Sequence, residues 1–405
     1  MHYARVYILL FFYICIIIVG IWSFSPVNQD VDKLEIERYV HDLSSDTAEY
    51  SRLLLRLSDH RVVLLGEQTH SDGKTISYKE RLIRTLHERF GYNVVLYEAG
   101  MYDMWLMNQE ESLEPLHGLY YFWCSNHESN SLWEFYKKSR KSDNPIELGG
   151  FDVQYTGDIS DSLRLKRVKE YLHTKDVDIQ KYPDFVQSQS HIKYLFINPN
   201  ILDTLQFTRL LSDIGQMALV VKERMVPDNR TDELYYRYLQ GLKSYLEACR
   251  QYEPGEAYRM QLRDSLMADN FNWLANTVYK DRKIIVWCSN LHALYEDGKL
   301  VEFKPFGNYL KDYLGDEVIS VVFSSYGRID PDGRTFRTLS RKSLEYQIHS
   351  CGISEGYLDF SELDTASWLN RRFVSGINQG LSVGNDWSEM TDILIYIDKM
   401  TKPTY

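Results

Sequence analysis

The stretch Val62-Val63-Leu64-Leu65-Gly66-Glu67-Gln68-Thr69-His70 constrains the fold more than any other part of the chain. Four branched aliphatics in a row show no polar alternation. The strand they form is therefore buried on both faces, as in a parallel sheet covered by helices. The run stops at a glycine, followed by an acid and then an imidazole. In open α/β sheets ligands bind in the crevice beyond the carboxyl ends of the strands. Glu67 and His70 are thus candidate site residues, with ordinary polar loop residues as the competing reading.

The pattern recurs along the chain. From Ile76 to Phe90 the apolar residues Leu82, Ile83, Leu86 and Phe90 fall at helical spacing, and Gly91 supplies a stop. Lys79 lies on that stripe, so its ammonium either snorkels to solvent or points into a polar site. Asn93–Tyr97 is a second strand, ending in Glu98. Strand, helix and strand within about forty residues make a βαβ unit with a right-handed crossover. It places Glu67 and Glu98 at the carboxyl ends of two parallel strands, read here as neighbours.

Helical patterns cover Met101 to Leu119 and Ser131 to Arg140. A third strand within Pro145–Gln154 carries Asp152 to the same rim, unless Asp152 is a turn or cap aspartate. Between about residues 157 and 281 no strand pattern stands out. Long helices over Ile201–Arg224, Asp232–Tyr252 and Ala257–Tyr279 predict a helical insertion that caps the sheet. On the last of them Arg263, Met267, Asn270 and Leu274 share one face. Arg263 and Asn270 are either a buried, satisfied pair near the site or part of a mixed boundary face. A fourth strand, Lys283–Cys288, leads into Ser289-Asn290-Leu291-His292, and further strands follow at Val318–Phe323 and Ile393–Ile397.

At 405 residues and 44% hydrophobic content, one large α/β domain over residues 30–405 is the expected organisation: a mostly parallel central sheet flanked by helices. A net charge of −11 without a basic run excludes a nucleic-acid surface. The cysteines Cys15, Cys124, Cys249, Cys288 and Cys351 include no CxxC pair, so neither a zinc site nor a redox motif is indicated. Val6 to Phe24 carries no charge and is long enough to span a bilayer as a helix. It ends without the small residues of a cleavage site, which predicts an uncleaved single-pass anchor over residues 1–25. Arg5 before the run, and Asp30, Asp32 and Glu35 after it, put the bulk of the chain outside the cytoplasm.

The block LLGEQTH, a helix bearing Lys79, Arg81 and Arg84, and the block NVVLYEAG resemble the erythromycin esterase family, whose pattern is Gly-Glu-x-x-His followed by a strand ending in Glu-Ala. Gly150-Phe151-Asp152-Val153-Gln154, Arg263-Asp264 with Met267 and Asn270, and Trp287-Cys288-Ser289-Asn290-Leu291-His292 agree in order and spacing over about residues 60 to 330. The resemblance implies an α/β core with a helical cap and a deep cleft, and a hydrolase that opens macrolide lactone rings. The expected partner is a small-molecule ester or lactone, with no cofactor and no metal. His70 matches the general base, and Glu67 and Glu98 match the acids that orient and charge it. Lys79 stands where the esterases commonly carry Arg, with Arg84 as a nearby basic alternative. Two positions depart from the pattern: Lys74 replaces a glutamate, and Ser289 replaces the first histidine of W-x-H-N-x-H.

The expected mechanism has His70 deprotonate a water while Glu67 and Glu98 hold the orientation and charge of its imidazole, and His292 with Lys79 polarises the carbonyl. Asp152, Arg263, Asn270, Ser289 and Arg84 line the substrate side. The rivals are a metal site on Glu67, His70, Glu98 and His292, and a ligand-binding or envelope-assembly protein that keeps the cleft without the chemistry.

Overall fold

A computed structural model gives the architecture; it describes residues 33–44, 47–109, 115–250, 256–296, 303–330 and 333–405. The expected anchor over residues 1–25 lies outside the described residues. Among the described residues no helix is long and apolar enough to cross a membrane.

Residues 33–405 form one unit built on a nine-stranded sheet. In chain order its strands are β1 Val40–Asp42, β2 Val62–Leu65, β3 Tyr92–Gly100, β4 Glu147–Asp152, β5 Lys283–Trp287, β6 Val318–Ile329, β7 Thr335–Thr338, β8 Glu355–Asp359 and, after the separate pair β9 Phe373–Ser375 and β10 Val383–Asn385, β11 Ile393–Thr401. The spatial order is β1-β8-β11-β6-β2-β5-β3-β4, with β7 on β6. From β11 to β4 every pairing is parallel, while β1, β8 and β7 attach antiparallel. The sheet is thus mostly parallel and flanked by helices. Val62, Val63, Leu64 and Leu65 have no exposed surface, which is the consequence of a strand with helices on both faces.

The helix Gly73–Phe90 joins β2 to β3 and buries Leu82, Ile83 and Leu86 against the sheet. It ends at Gly91, whose φ of 74° is the left-handed conformation that favours glycine, and whose N–H bonds the carbonyl of Leu86. The strands it links are not neighbours. β5 lies between β2 and β3, in register with both, so Glu67 and Glu98 are separated by the strand that leads to His292.

Ahead of β2 the helices Lys33–Tyr39 and Thr47–Ser58 flank β1, which pairs with β8. One further expectation differs from the fold. The stretch Met101 to Leu119 is helical only over Met101–Gln109 and, as a short 3-10 turn, over Pro115–Gly118. Between β4 and β5 the chain passes through the helices Asp161–Thr174, Pro183–Leu195, Thr204–Glu223, Arg230–Arg250 and Glu256–Trp273. The last of these packs on β4 and brings Arg263 to the strand ends.

Candidate active site

The turn after β2 needs a glycine. A Cβ on Gly66 would run into the Asn290 side chain, which is fixed because its Nδ2 donates to the carbonyls of Phe323 and Ile377, each at 2.7 Å. The next residues are pinned one by one. Gln68 Nε2 donates to the Gly376 carbonyl at 2.6 Å and Ser325 Oγ donates to Gln68 Oε1 at 3.0 Å. Asp72 accepts from the Thr69 N–H at 2.9 Å and the Thr69 hydroxyl at 2.7 Å, and pairs with Arg328. These bonds fix the direction in which Glu67 and His70 leave the sheet.

Glu67 turns inward, is 1% exposed, and is fully occupied. Its Oε1 accepts from His70 Nδ1 at 2.7 Å and Trp123 Nε1 at 2.8 Å. Its Oε2 accepts from Lys79 Nζ at 2.7 Å and Trp287 Nε1 at 2.9 Å. Burial alone would raise this carboxyl, but the Lys79 charge and the His70 bond hold it below its ordinary value. Lys79 is sealed, with no exposed surface; it also donates to the Cys288 carbonyl at 3.2 Å and sits over the Trp287 ring. Burial lowers its ammonium against the pull of Glu67. The two therefore stand as a buried ion pair.

His70 differs from its partners in being 40% exposed at the side chain. Its ring stacks on Phe122 and meets Trp123 edge-on. Because a carboxylate only accepts, Nδ1 carries the proton given to Glu67. Nε2 has no hydrogen-bond partner among the described residues. Burial draws the imidazole down, but the Glu67 bond and charge, reinforced by Glu98, raise it above its ordinary value.

A second cluster forms at the ends of β3, β4 and β5. Glu98 Oε1 accepts from Arg263 Nη2 at 3.0 Å and lies 3.2 Å from His292 Nε2; its Oε2 accepts from the Ser289 N–H at 2.9 Å. Asp152 takes Arg263 at Nη2, 2.6 Å, and at Nε, 3.2 Å. His292 Nδ1 is 2.9 Å from Asp264 Oδ2, which also accepts from the Phe306 N–H at 2.7 Å. Only 2% of His292 is exposed. Its burial disfavours charge, yet Asp264 and Glu98 on either side push its pKa up to about 10. His292 is therefore an imidazolium at neutral pH, both nitrogens donating to carboxylates. The Arg263 Nη1 that approaches its Nε2 at 3.4 Å is a second cation, and Nη1 has no carboxylate partner among the described residues. The His292 and Arg263 charges hold Glu98 well below its ordinary value despite burial.

The structure brings Glu67, His70, Lys79, Glu98, Asp152, Arg263, Ser289 and His292 to one end of the sheet. Asn270 lies behind them, its Nδ2 bonding the Phe151 carbonyl at 3.1 Å and so holding the end of β4. Arg84 is a correction. One and a half turns beyond Lys79, it leaves the helix on the outer side, pairs with Glu80 at 3.5 Å, and lies over the Phe135 ring. Lys79 is also not a group that meets substrate, since Glu67 and Cys288 enclose it. Lys74 is exposed in the first turn of the helix Gly73–Phe90, and the Ser289 hydroxyl makes no capping bond. Sequence reasoning missed Trp123 and Trp287 as partners of Glu67, and Asp264 as a partner of His292. Trp287 and Asp264 stand inside the blocks that carried the resemblance; Trp123 had no such signal. Among the described residues no group of three or more His, Cys, Asp and Glu is arranged to hold a metal ion.

Comparison with known proteins gives the following. A family model described as Erythromycin esterase matches residues 87–400, a span that contains Glu98, Asp152, Arg263 and His292 and begins after Glu67, His70 and Lys79. YbfO of Bacillus subtilis (strain 168), named provisionally as a hydrolase, is 26% identical over 338 residues, 75% of this chain and 74% of that protein. Erythromycin esterase type II of Escherichia coli is 24% identical over 348 residues, 76% of this chain and 82% of that protein. A crystal structure of an erythromycin esterase mutant in its open conformation shares the fold with a TM-score of 0.63 at 18% identity, covering 90% of this chain and 98% of that one.

Proposed function

We propose, since the chain belongs to the erythromycin esterase family, that it hydrolyses a carboxylic ester or lactone of a small molecule with His70 as the general base. The observation that carries this reading is the half-exposed imidazole of His70, with Nδ1 tied to Glu67 and Nε2 free. Nε2 takes a proton from water as the oxygen attacks the carbonyl carbon, and the Glu67 carboxylate stabilises the imidazolium that forms. The developing oxyanion is stabilised by Arg263 Nη1, which has no carboxylate partner among the described residues, and by the fixed charge of His292. Collapse breaks the C–O bond, and the leaving alkoxide recovers the proton from Nε2, giving acid and alcohol. Lys79 keeps Glu67 ionised from behind.

The name of the Escherichia coli relative makes a macrolide lactone the first substrate to assay. Ser289 and Lys74, where the family pattern has His and Glu, favour a different ester. The same two positions motivate a second reading, a binding protein that keeps the cleft. A panel of aryl esters, acylated sugars and macrolides, assayed on the wild type and His70→Ala, separates the two. Turnover that vanishes in the variant supports the hydrolase; turnover that survives it removes His70 from the mechanism. We further place the chain at a membrane through the uncharged run Val6–Phe24, with its bulk outside the cytoplasm. Alkaline carbonate extraction should leave the full chain with the membrane fraction and release a chain lacking residues 1–25.

A further inference from the structure

Phe122 and Trp123 lie on the short helix Tyr121–Cys124, and the proposed mechanism gives neither a role. Both contact the base. Trp123 Nε1 donates at 2.8 Å to Glu67 Oε1, the same oxygen that accepts His70 Nδ1 at 2.7 Å. The Trp123 ring also meets the His70 ring edge-on, centroids 5.3 Å apart at 88°. Phe122 stacks face to face with His70, centroids 4.9 Å apart at 9°. The helix itself is held in place: Asn126 Nδ2 donates to the Phe122 carbonyl at 2.8 Å, and the His127 N–H donates to the Thr404 carbonyl at 2.7 Å.

We infer that Phe122 and Trp123 are positioning residues for His70, one clamping its ring by the face and the other fixing the carboxylate oxygen that orients it. The inference rests on the reading of His70 as the base. Its physical signature is a pair of opposite effects. The Trp123 N–H shares the charge of Oε1 with His70, so removing it gives the imidazolium the whole of that charge and favours the protonated ring. Phe122 offers the negative face of its ring to the imidazole, so removing it disfavours the protonated form. A merely structural role would lower stability and move neither.

The test is an NMR titration of the full chain labelled at histidine, with His70 assigned by the signal lost in His70→Ala. Trp123→Phe should move the His70 midpoint up by about half a pH unit, and Phe122→Leu should move it down by a similar amount. On any ester the wild type turns over, both variants should lose about tenfold in kcat with KM within about twofold. Shifts of the same sign, or no shift in folded variants, overturn the inference. Trp123 is 1% exposed, so Trp123→Phe puts folding at risk; Phe122 is only partly buried, and its variant alone then decides by moving down or staying put. Turnover retained by His70→Ala would sink the base assignment and leave the two NMR shifts standing. Absent shifts would sink the inference even where His70→Ala is inactive.

Discussion

The Glu67 and Glu98 clusters are built from the same parts and do opposite things. Each has a buried carboxylate at the end of a parallel strand, a cation against it, and a histidine within hydrogen-bond reach. In the first cluster the histidine is half-exposed and bonded at one nitrogen only. In the second it is sealed between Asp264 and Glu98 and carries a charge up to about pH 10. A general base must gain and lose a proton near the working pH, which His70 is placed to do and His292 is not. Residue type thus leaves the role open, and burial with the number of carboxylates per imidazole decides it.

The contrast breaks most directly at His70 and at Arg263. His70→Ala should lower kcat/KM by about three orders of magnitude, within the usual range for a lost general base, with the unfolding midpoint in urea little changed. Arg263→Ala should act on the fold as well as on turnover, because it leaves the buried Asp152 without its cation and Glu98 with His292 as its one remaining charge partner. A loss of about 3–5 kcal/mol in urea unfolding is expected, and a loss under about 1 kcal/mol would mean that the cluster is not the buried network described here. Glu67→Gln sharpens the comparison. Glu67 raises the His70 pKa, so its removal should shift the acidic limb of the kcat/KM profile to lower pH while the plateau falls about tenfold to a hundredfold. Arg84→Ala, on the outer side of the helix, should leave kcat/KM within about twofold and stability within about 0.5 kcal/mol.

Much of this was legible in the chain, for identifiable reasons. Val62–Leu65 and Lys283–Trp287 are aliphatic runs that only a doubly covered strand accommodates, so the polar residues just beyond them, Glu67, His70 and His292, were readable as a rim. The order of the strands was not readable. β5 enters between β2 and β3 from far along the chain, and local pattern carries no record of that pairing. β8, Glu355–Asp359, has a glycine and two acids and gains its strand character from β11 and β1 on either side. Trp123 sits in a segment of short turns without periodicity, so nothing in the sequence pointed it at Glu67. Arg84 shows the reverse error: three to four residues bring side chains to one helix face, but five turn them away.

A titration of both imidazoles by NMR in the wild-type chain tests the protonation states of His70 and His292 together. The His70 midpoint should lie above 6.5, raised by its one bonded carboxylate, while His292, between two, should stay charged until about pH 10. Since the folded value for His292 lies above its ordinary 6.5, the stability it contributes is complete below that pH and is lost as pH rises through about 10. A His292 that titrates near 6.5, or a His70 that stays charged as long as His292, would contradict the division of roles.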